Sequence, residues 1–439
     1  MIEPILSFSA ANAAAGARAE IIDSAWPNRY IQKMTEPNSP STTLAASRAE
    51  AQAQAARELG WEYVRSRLDA LLESGLARLP SRGAEPSPRE LHLELTHRCN
   101  LKCVMCEHWQ IEHLDPDSVK REMDFASIRK TVEGAAVLKD VKTVVITGGE
   151  PWLRHDFVDI LAWLAAALPN ADIIALTNFW NTGHLALKLR ELRERGVFAA
   201  GGASRRKLGS SLDGLKETHD LVRGQTGAFA GLVRSVKTLK AEFPEISFGF
   251  TFTMIPQNAH ELYDAYRFVK DELGVGFGGQ WAVQTEGIEP LVWTPEAREA
   301  GLRGIRRIAE DLCVEHGAAA RMSGPDPRDS AWLWSELLYW RYLEEYGRDA
   351  RRFPFFLRCT AGERHIMVGA EGEVFYCPVN RARTIGNIKE TPLDQMWRSP
   401  KAEDEREFVA SGQCHCWLRC VSTPAVDRLL DLGLPAKPA

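Results

Sequence analysis

Cysteines are the residues of this sequence with the most distinctive potential chemistry. Eight of the nine cysteines in the 439-residue chain fall into two groups. The first group is compact and consists of Cys99, Cys103 and Cys106. The second lies near the end of the chain and consists of Cys359, Cys377, Cys414, Cys416 and Cys420. The ninth, Cys313, stands alone in an amphipathic stretch and is interpreted as a buried structural thiol.

The expected location decides how such groups are interpreted. The sequence has no apolar stretch long enough to span a bilayer, and residues 1–17 lack the basic start and continuous apolar run of a signal peptide. We therefore expect a cytoplasmic protein, in which thiols stay reduced and clustered cysteines indicate metal ligands or catalysts. The formal net charge of −5 gives no reason to expect nucleic acid or an anionic membrane as the main partner.

The first group has the spacing C-x3-C-x2-C. Three thiolates on one loop can ligate three irons of a four-iron cluster and leave the fourth iron open. An open metal position is where a substrate or cofactor binds. The alternative is a zinc site completed by His97 or His108, but zinc sites usually arrange their cysteines as C-x2-C pairs, and this group does not. The spacing therefore favours an iron–sulfur cluster.

The surrounding pattern predicts the elements that position these cysteines, because strands alternate with helices from Glu90 onward. The predicted strands are 90–96, 143–147, 172–177, 207–211, 247–254 and 275–283. The predicted helices are 125–138, 157–168, 185–195, 228–243 and 259–273. Alternating βα units imply a parallel sheet, and six units fit an α/β fold with a partial, TIM-like (β/α)6 barrel.

Two motifs are expected on one face of this barrel. In parallel barrels the chemistry lies at the C-terminal ends of the strands. The cysteine loop follows the first predicted strand, and Gly148-Gly149-Glu150-Pro151 follows the second. Both motifs therefore fall at the end of the barrel where an active site is expected.

The segment from Cys99 to Cys106 resembles the signature of the radical S-adenosylmethionine (SAM) superfamily. The resemblance implies a [4Fe–4S] cluster whose open iron binds SAM and whose electron cleaves SAM to a 5′-deoxyadenosyl radical. The cofactor then carries the difficult chemistry, while the protein supplies position and excludes water. Three further segments match the superfamily in chain order: Thr147-Gly148-Gly149-Glu150-Pro151, Ser211-Leu212-Asp213-Gly214 and His219-Asp220-Leu221-Val222-Arg223-Gly224.

These matches imply roles in binding SAM. Gly148 and Gly149 let the backbone approach the ligand closely, and Glu150 offers a carboxylate to the SAM ammonium group. Ser211 and Asp213 belong to a segment similar to the one that contacts the ribose and carboxylate in the superfamily. Arg223 is positioned by the resemblance to pair with the SAM carboxylate.

The sequence departs from the superfamily pattern at two places. The residue after the last cysteine is usually aromatic and often contacts adenine, and here it is Glu107, so no adenine role is carried onto this position and Trp109 is a candidate for the apolar contact. The common Thr-Asn-Gly after the third strand is replaced by Thr177-Asn178-Phe179. Asn178 is a candidate for the SAM ribose, with a turn-forming role as the alternative.

The second cysteine group resembles the SPASM/twitch extension of radical SAM proteins, in which a β-hairpin and a helix hold auxiliary iron–sulfur clusters. Five cysteines are too few for two clusters with four thiolates each, so the count predicts one auxiliary [4Fe–4S] cluster. Its predicted ligands are Cys359, Cys377 and Cys420, with Cys416 preferred to Cys414 as the fourth. The alternative is a zinc site that uses Cys414, His415 or Cys416.

The resemblance divides the chain into four predicted parts. They are a helical N-terminal extension at 1–88, a radical SAM partial barrel at 89–290, a helical connector at 291–356 and the auxiliary-cluster module at 357–439. Residues 1–88 match no recognised family, and they lack the pattern of the peptide-recognition domain of many peptide-modifying relatives. This absence favours a small substrate.

The sequence therefore predicts a radical SAM enzyme of the oxidoreductase or lyase type. The favoured reaction is hydrogen abstraction followed by two-electron oxidation of a small molecule in a biosynthetic pathway, with flavodoxin or ferredoxin as the reducing partner. One alternative is maturation of a ribosomal peptide by crosslinking, epimerisation or decarboxylation. Another is a non-catalytic iron–sulfur redox sensor, which would have no use for Glu150 and Arg223 beside an open iron.

Overall fold

The computed structural model describes residues 42–77, 86–198, 205–285, 288–322, 330–350, 359–411, 413 and 416–433. Its centre is a nine-stranded sheet with the strand order β6-β5-β4-β3-β2-β1-β7-β8-β9. The strands are β1 Glu90–Glu94, β2 Thr143–Thr147, β3 Asp172–Leu176, β4 Arg206–Ser211, β5 Ser247–Met254, β6 Gly276–Trp281, β7 His365–Val368, β8 Glu373–Phe375 and β9 Gly386–Asn387.

Strands β1 to β6 are all parallel, and each pairs with its neighbour in the sequence. Apolar side chains such as Val144, Ile146 and Ile173 are buried, as expected for strands covered on both faces. The predicted fold class, an α/β fold with a parallel, barrel-like sheet, is confirmed. The predicted bounds of β2 and β5 match those of the structure.

Helices cover the sheet and connect its strands. They are α1 Thr42–Ala77, α2 His108–Leu114, α3 Phe125–Glu133, α4 Phe157–Ala167, α5 Thr182–Glu194, α6 Lys216–Arg223, α7 Ala228–Glu242, α8 Leu262–Phe268, α9 Pro295–Glu315, α10 Ala318–Met322, α11 Ala331–Arg348, α12 Leu393–Trp397, α13 Pro400–Ala410 and α14 Arg419–Gly433. The helix predicted at 259–273 divides into a 3₁₀ turn, α8 and a π-helical segment. No helix of the described part of the chain is long and apolar enough to cross a membrane.

The N-terminal helix α1 packs against the C-terminal helix α14. Trp61, Val64 and Leu68 are buried on its inner face. At Gly75 a Cβ atom would lie only 2.3 Å from the carbonyl oxygen of Leu429, so glycine permits the close approach of the two helices. The predicted boundaries of the four parts of the chain remain a prediction.

The C-terminal hairpin joins the barrel sheet. Strand β7 pairs in parallel with β1, with Glu90 opposite His365 and Leu93 opposite Val368. Strand β8 then pairs antiparallel with β7. The first strand of the predicted auxiliary module therefore continues the sheet on the β1 side, which the sequence pattern did not indicate.

Candidate active site

The cysteine loop after β1 is hydrogen-bonded to the loop after β2. The backbone N–H of Gly149 donates to the carbonyl of Thr96 at 2.8 Å, and the N–H of Glu150 donates to the carbonyl of Arg98 at 2.7 Å. A Cβ atom on Gly149 would lie 2.2 Å from the Arg98 oxygen, and Gly148 has a φ of +117°. Both glycines are therefore required by the contact between the two loops, whatever they do toward a ligand.

The other side of the cysteine loop is held by the end of α6. The N–H groups of Lys102 and Val104 donate to the carbonyls of Arg223 and Val222, at 3.2 and 2.9 Å. Helix α6 ends at Gly224 in the left-handed conformation, with φ +64°, and a Cβ atom there would lie 2.3 Å from the Lys102 oxygen. Glycine is thus required at position 224 both by the contact with the cysteine loop and by the left-handed end of the helix.

The three thiols of this loop lie in a common electrostatic environment. Burial, with a smaller contribution from the neighbouring Cys103, raises the pKa of Cys99 to about 12 and that of Cys106 to about 11. Such thiols become ligands when a bound cation replaces their protons. Three thiols on one loop, beside the guanidinium of Arg223, are a donor set that fits an iron–sulfur cluster with one open iron.

Arg223 is the cationic side chain beside these thiols. Its Nη1 donates to the Sγ of Cys103 at 3.3 Å, and its Nη2 lies 2.6 Å from Oδ2 of the fully buried Asp213. Burial alone would lower the pKa of Arg223, but the charges of Asp213 and Cys103 outweigh burial and raise it. Arg223 therefore stays protonated beside the cysteine sulfur.

Asp213 is itself fixed by the backbone of the next strand. Its Oδ1 accepts a hydrogen bond from the N–H of Thr253 at 2.7 Å, and its own N–H donates to Nδ1 of His219 at 3.1 Å. Ser211 is the last residue of β4 and precedes Asp213 by two positions. The segment that the sequence assigned to SAM thus lies at the C-terminal end of β4, on the same face of the sheet as the cysteine loop.

Glu150 is buried and connects three loops. Its carboxylate accepts hydrogen bonds from the N–H of Asn178 at 2.7 Å and the N–H of Trp152 at 3.4 Å. Burial raises the pKa of Glu150 to about 7 even though these bonds favour the charged form. The amide of Asn178 in turn donates to the side chain of Asn100 at 2.7 Å, which ties the third strand to the cysteine loop.

The two departures from the superfamily pattern have clear structural outcomes. The indole of Trp109 donates to the carbonyl of Cys103 at 3.0 Å, so this ring is anchored to the cysteine loop. Phe179, at the position of the usual glycine, has a φ of +56° and a fully buried ring. The left-handed backbone is therefore kept here without glycine, stabilised by burial of the aromatic side chain.

A buried charged cluster at the end of β1 escaped the sequence interpretation. Glu94 forms a bidentate ion pair with Arg381, whose Nε lies 3.1 Å from Glu107. The Nε2 of His108 lies 3.6 Å from the same Glu94 carboxylate. The available signal was the alternation of polar residues with leucines along β1, which indicates a strand with one polar face.

The C-terminal cysteines converge on Cys420, the second residue of α14. Burial raises the pKa of the Cys420 thiol, and Glu90, Cys377, Cys416 and Cys359 each raise it further. The N–H groups of Ala361 and Val379 donate to the sulfurs of Cys359 and Cys377 at 3.5 and 3.3 Å. Four neighbouring thiols, on residues that are buried or partly buried, fit an iron–sulfur cluster with four cysteine ligands. Cys414 and His415 lie outside the described residues.

The chain matches two family models. Residues 93–269 match the radical SAM superfamily, and residues 359–420 match the SPASM iron–sulfur cluster-binding domain. The Fe-coproporphyrin III synthase of Methanosarcina barkeri is 25% identical over 69% of this chain and 72% of its own length. The pre-heme d1 synthase of Dinoroseobacter shibae is 25% identical over 76% of this chain and 79% of its own length.

A solved structure with a similar fold is that of anSMEcpe with bound AdoMet and a peptide. It is 14% identical, has a TM-score of 0.50, and the match covers 78% of this chain and 96% of that chain. Both matched domains coincide with the segments that carry the two cysteine groups. This chain belongs to the radical SAM superfamily, and it is an enzyme that uses SAM, a [4Fe–4S] cluster and auxiliary iron–sulfur binding in a C-terminal SPASM domain.

Proposed function

We propose that the enzyme catalyses a two-electron oxidation of a small molecule. The observation that carries this proposal is the placement of the two cysteine groups at opposite ends of β1. The first group follows the C-terminal end of the strand, whereas Glu90 at its start raises the pKa of Cys420. A strand of five residues spans about 15 Å, so a small substrate in the barrel can lie between a radical source and an electron acceptor.

The proposal assigns roles to the residues of both groups. Cys99, Cys103 and Cys106 hold the SAM cluster, and Cys359, Cys377, Cys416 and Cys420 hold one auxiliary cluster. The SAM site is formed by Gly148, Gly149, Glu150, Asn178, Ser211, Asp213 and Arg223. When bound, these cofactors supply hydrogen abstraction from an unactivated C–H bond and removal of one further electron. Arg223 stabilises the negative charge of the Cys103 sulfur, and Glu150 orients the SAM ammonium group.

Two features favour a small molecule over a peptide. Two of the curated relatives are named for the synthesis of Fe-coproporphyrin III and pre-heme d1, neither of which is a peptide. The charged cluster at the end of β1 carries two carboxylates, on Glu94 and Glu107, against the single guanidinium of Arg381. Its excess negative charge favours a substrate that donates hydrogen bonds or carries a positive charge.

The test uses the enzyme reconstituted anaerobically with iron and sulfide. Candidate substrates are the precursors of the two relatives' products, small alcohols and amines, with deuterium at the target carbon. We expect deuterium in 5′-deoxyadenosine, and one 5′-deoxyadenosine and one methionine per product. Flavodoxin or ferredoxin is the proposed electron donor, and a cytoplasmic location remains a prediction.

A double Cys359→Ala/Cys377→Ala variant distinguishes SAM cleavage at the first cysteine group from substrate oxidation that needs the second group. It should lose product formation and keep uncoupled SAM cleavage, because the first cysteine group is unchanged. A Cys313→Ala variant is the matched control and should keep both activities. A product isomeric with its substrate, formed while SAM is recycled, would disprove net oxidation. Turnover of peptides alone would favour the maturase alternative.

A further inference from the structure

Three ligand-type side chains meet at the starts of β1 and β7. They are Glu90, His92 and His365, and their ligand atoms all lie within 4.8 Å of one another. The Nε2 of His92 lies 2.5 Å from Oε1 of Glu90, and the Nε2 of His365 lies 3.9 Å from the same oxygen. Both imidazoles therefore direct the same nitrogen at one carboxylate oxygen. None of the three residues is assigned a role in the proposed reaction, although Glu90 lies close enough to Cys420 to raise its pKa.

The hydrogen bonding of His365 fixes which of its nitrogens is available. Its Nδ1 lies 2.8 Å from the carbonyl oxygen of Tyr376, which can only accept, so Nδ1 carries the proton. The Nε2 lone pair then faces Glu90, and this atom is buried without a hydrogen-bond partner. His365 is fully buried. A histidine that donates one N–H to a carbonyl and presents the other nitrogen bare is the usual arrangement of a metal ligand.

The protonation state of His365 agrees with this arrangement. Burial, with a smaller contribution from the neighbouring His92, lowers the pKa of His365 to about 4, so its imidazole is neutral at physiological pH. A neutral imidazole is the form of histidine that binds a metal ion.

We propose that Glu90, His92 and His365 form a binding site for one divalent first-row transition-metal ion. Two imidazole nitrogens and one carboxylate oxygen are a ligand set used for Zn²⁺ and for Fe²⁺. The ion would join β1 of the barrel to β7 of the SPASM domain, since Glu90 and His365 are direct partners across the two strands. The 2.5 Å contact between His92 and Glu90 would open by about 0.9 Å, because two ligands with bonds of about 2.1 Å to a tetrahedral ion lie about 3.4 Å apart.

The alternative is that the three side chains form a buried hydrogen bond between His92 and Glu90 with His365 as a spacer. Zinc distinguishes the two, because it is not a component of an iron–sulfur cluster and can be counted separately from iron. The experiment therefore uses the reconstituted holoenzyme, whose cysteines are occupied by iron. The protein is incubated anaerobically with Zn²⁺ and citrate as a weak competitor, desalted, and analysed for zinc and iron by plasma mass spectrometry.

We expect about one zinc per chain in the wild type, with three protein ligands and an open position. His92→Gln should weaken zinc binding at least about 100-fold, since even the loss of a partner outside the ligand sphere costs up to that factor. His92 is only partly buried, so this variant should keep its iron and its SAM binding where His365→Ala could fail to fold. His260→Ala is the control, because His260 is exposed, lies 3.7 Å from Glu261, and is outside the site.

Retention of iron by His92→Gln together with loss of zinc would establish the site. Equal zinc in the wild type and in His92→Gln would place the zinc elsewhere and overturn the proposal. Absence of zinc from the wild type at millimolar Zn²⁺ would also overturn it and leave the buried hydrogen bond as the explanation. None of these outcomes depends on catalytic turnover, so they leave the proposed oxidation untouched.

Discussion

The Nη1 of Arg223 lies 3.3 Å from the Sγ of Cys103, the middle cysteine of the first group. The same guanidinium is paired with Asp213 at 2.6 Å. One cation is thus shared between a thiol and a buried carboxylate that are more than a hundred residues apart. Arg223 therefore stabilises the loop conformation, and it would also stabilise the negative charge of Cys103 in its proposed role as a ligand.

Replacing this cation should be costly. Arg223→Met would leave Asp213 buried without its ion pair, and removing one partner of a buried pair costs about 3 to 5 kcal/mol of unfolding free energy. Arg190→Met is the matched control, because Arg190 forms an exposed pair with Glu242 at 2.6 Å and should cost less than about 1 kcal/mol. Urea unfolding under anaerobic conditions measures both. Equal losses of unfolding free energy in the two variants would show that the ion pair of Arg223 contributes no more than an exposed pair.

Glu150→Gln should weaken SAM binding and leave the cluster in place. The variant keeps the size and one acceptor oxygen of the side chain, so the hydrogen bond from the Asn178 N–H can persist. The lost charge-assisted contact to the SAM ammonium should cost about 1.5 to 3 kcal/mol. Isothermal titration with SAM measures this, with Glu133→Gln, an exposed position, as control. Unchanged affinity and unchanged SAM cleavage would exclude Glu150 from the site.

Iron analysis should reveal two separable clusters. Reconstituted wild type should contain about eight irons per chain, and the triple alanine variant of Cys99, Cys103 and Cys106 about four. Cys416→Ala should lose auxiliary iron, because Cys416 lies close enough to Cys420 to raise its pKa. Cys414→Ala is the control and should retain the iron. Tight stoichiometric zinc in the C-terminal group would contradict this assignment.

Acid should destabilise the fold through His219. Burial, with Arg223 adding to it, lowers the pKa of His219 to about 3, below the ordinary value of 6.5. A histidine with a lowered pKa is neutral when folded, so the stability is present above pH 6.5 and is lost as the pH falls. The loss should be about 2 kcal/mol at pH 5.

The comparison for this prediction is His219→Asn, which offers an acceptor to the Asp213 N–H but does not titrate. Its unfolding free energy should fall about 2 kcal/mol less than that of the wild type between pH 7.5 and pH 5. Urea titrations at both pH values give the difference. Parallel losses in the two proteins would show that other groups cause the acid lability.

Local sequence patterns predicted most strands of the sheet, because buried parallel strands are short apolar runs that can be recognised without knowing their partners. The strands at 143–147 and 247–254 have continuous apolar or alternating runs with sharp ends, and both were predicted with their observed bounds. Helices α2 and α6 were not predicted, since seven- and eight-residue helices span too few turns for a periodic signal. The left-handed backbone of Phe179 could not be predicted either, because it is stabilised by burial of the ring, which depends on distant residues.

Contacts between distant segments could not be predicted. The ion pair between Glu94 and Arg381 joins residues 287 positions apart, and no spacing rule connects them. The same holds for the pairing of β7 with β1, because the sequence pattern predicts a strand at 365–368 with its hairpin partner at 373–376 but does not predict β1 as a second partner. The cysteine groups were found because thiols are rare and clustered, whereas arginines and glutamates are common everywhere in the chain.

The pairing of β7 with β1 has a mechanical consequence. Four consecutive residue pairs, from Glu90–His365 to Leu93–Val368, fasten the SPASM domain to the strand that leads into the cysteine loop. A hinge between the two domains along this line would have to break backbone hydrogen bonds between buried strands. The domain is therefore not expected to swing open along this strand pair, and we expect substrate to enter and product to leave on another side of the barrel.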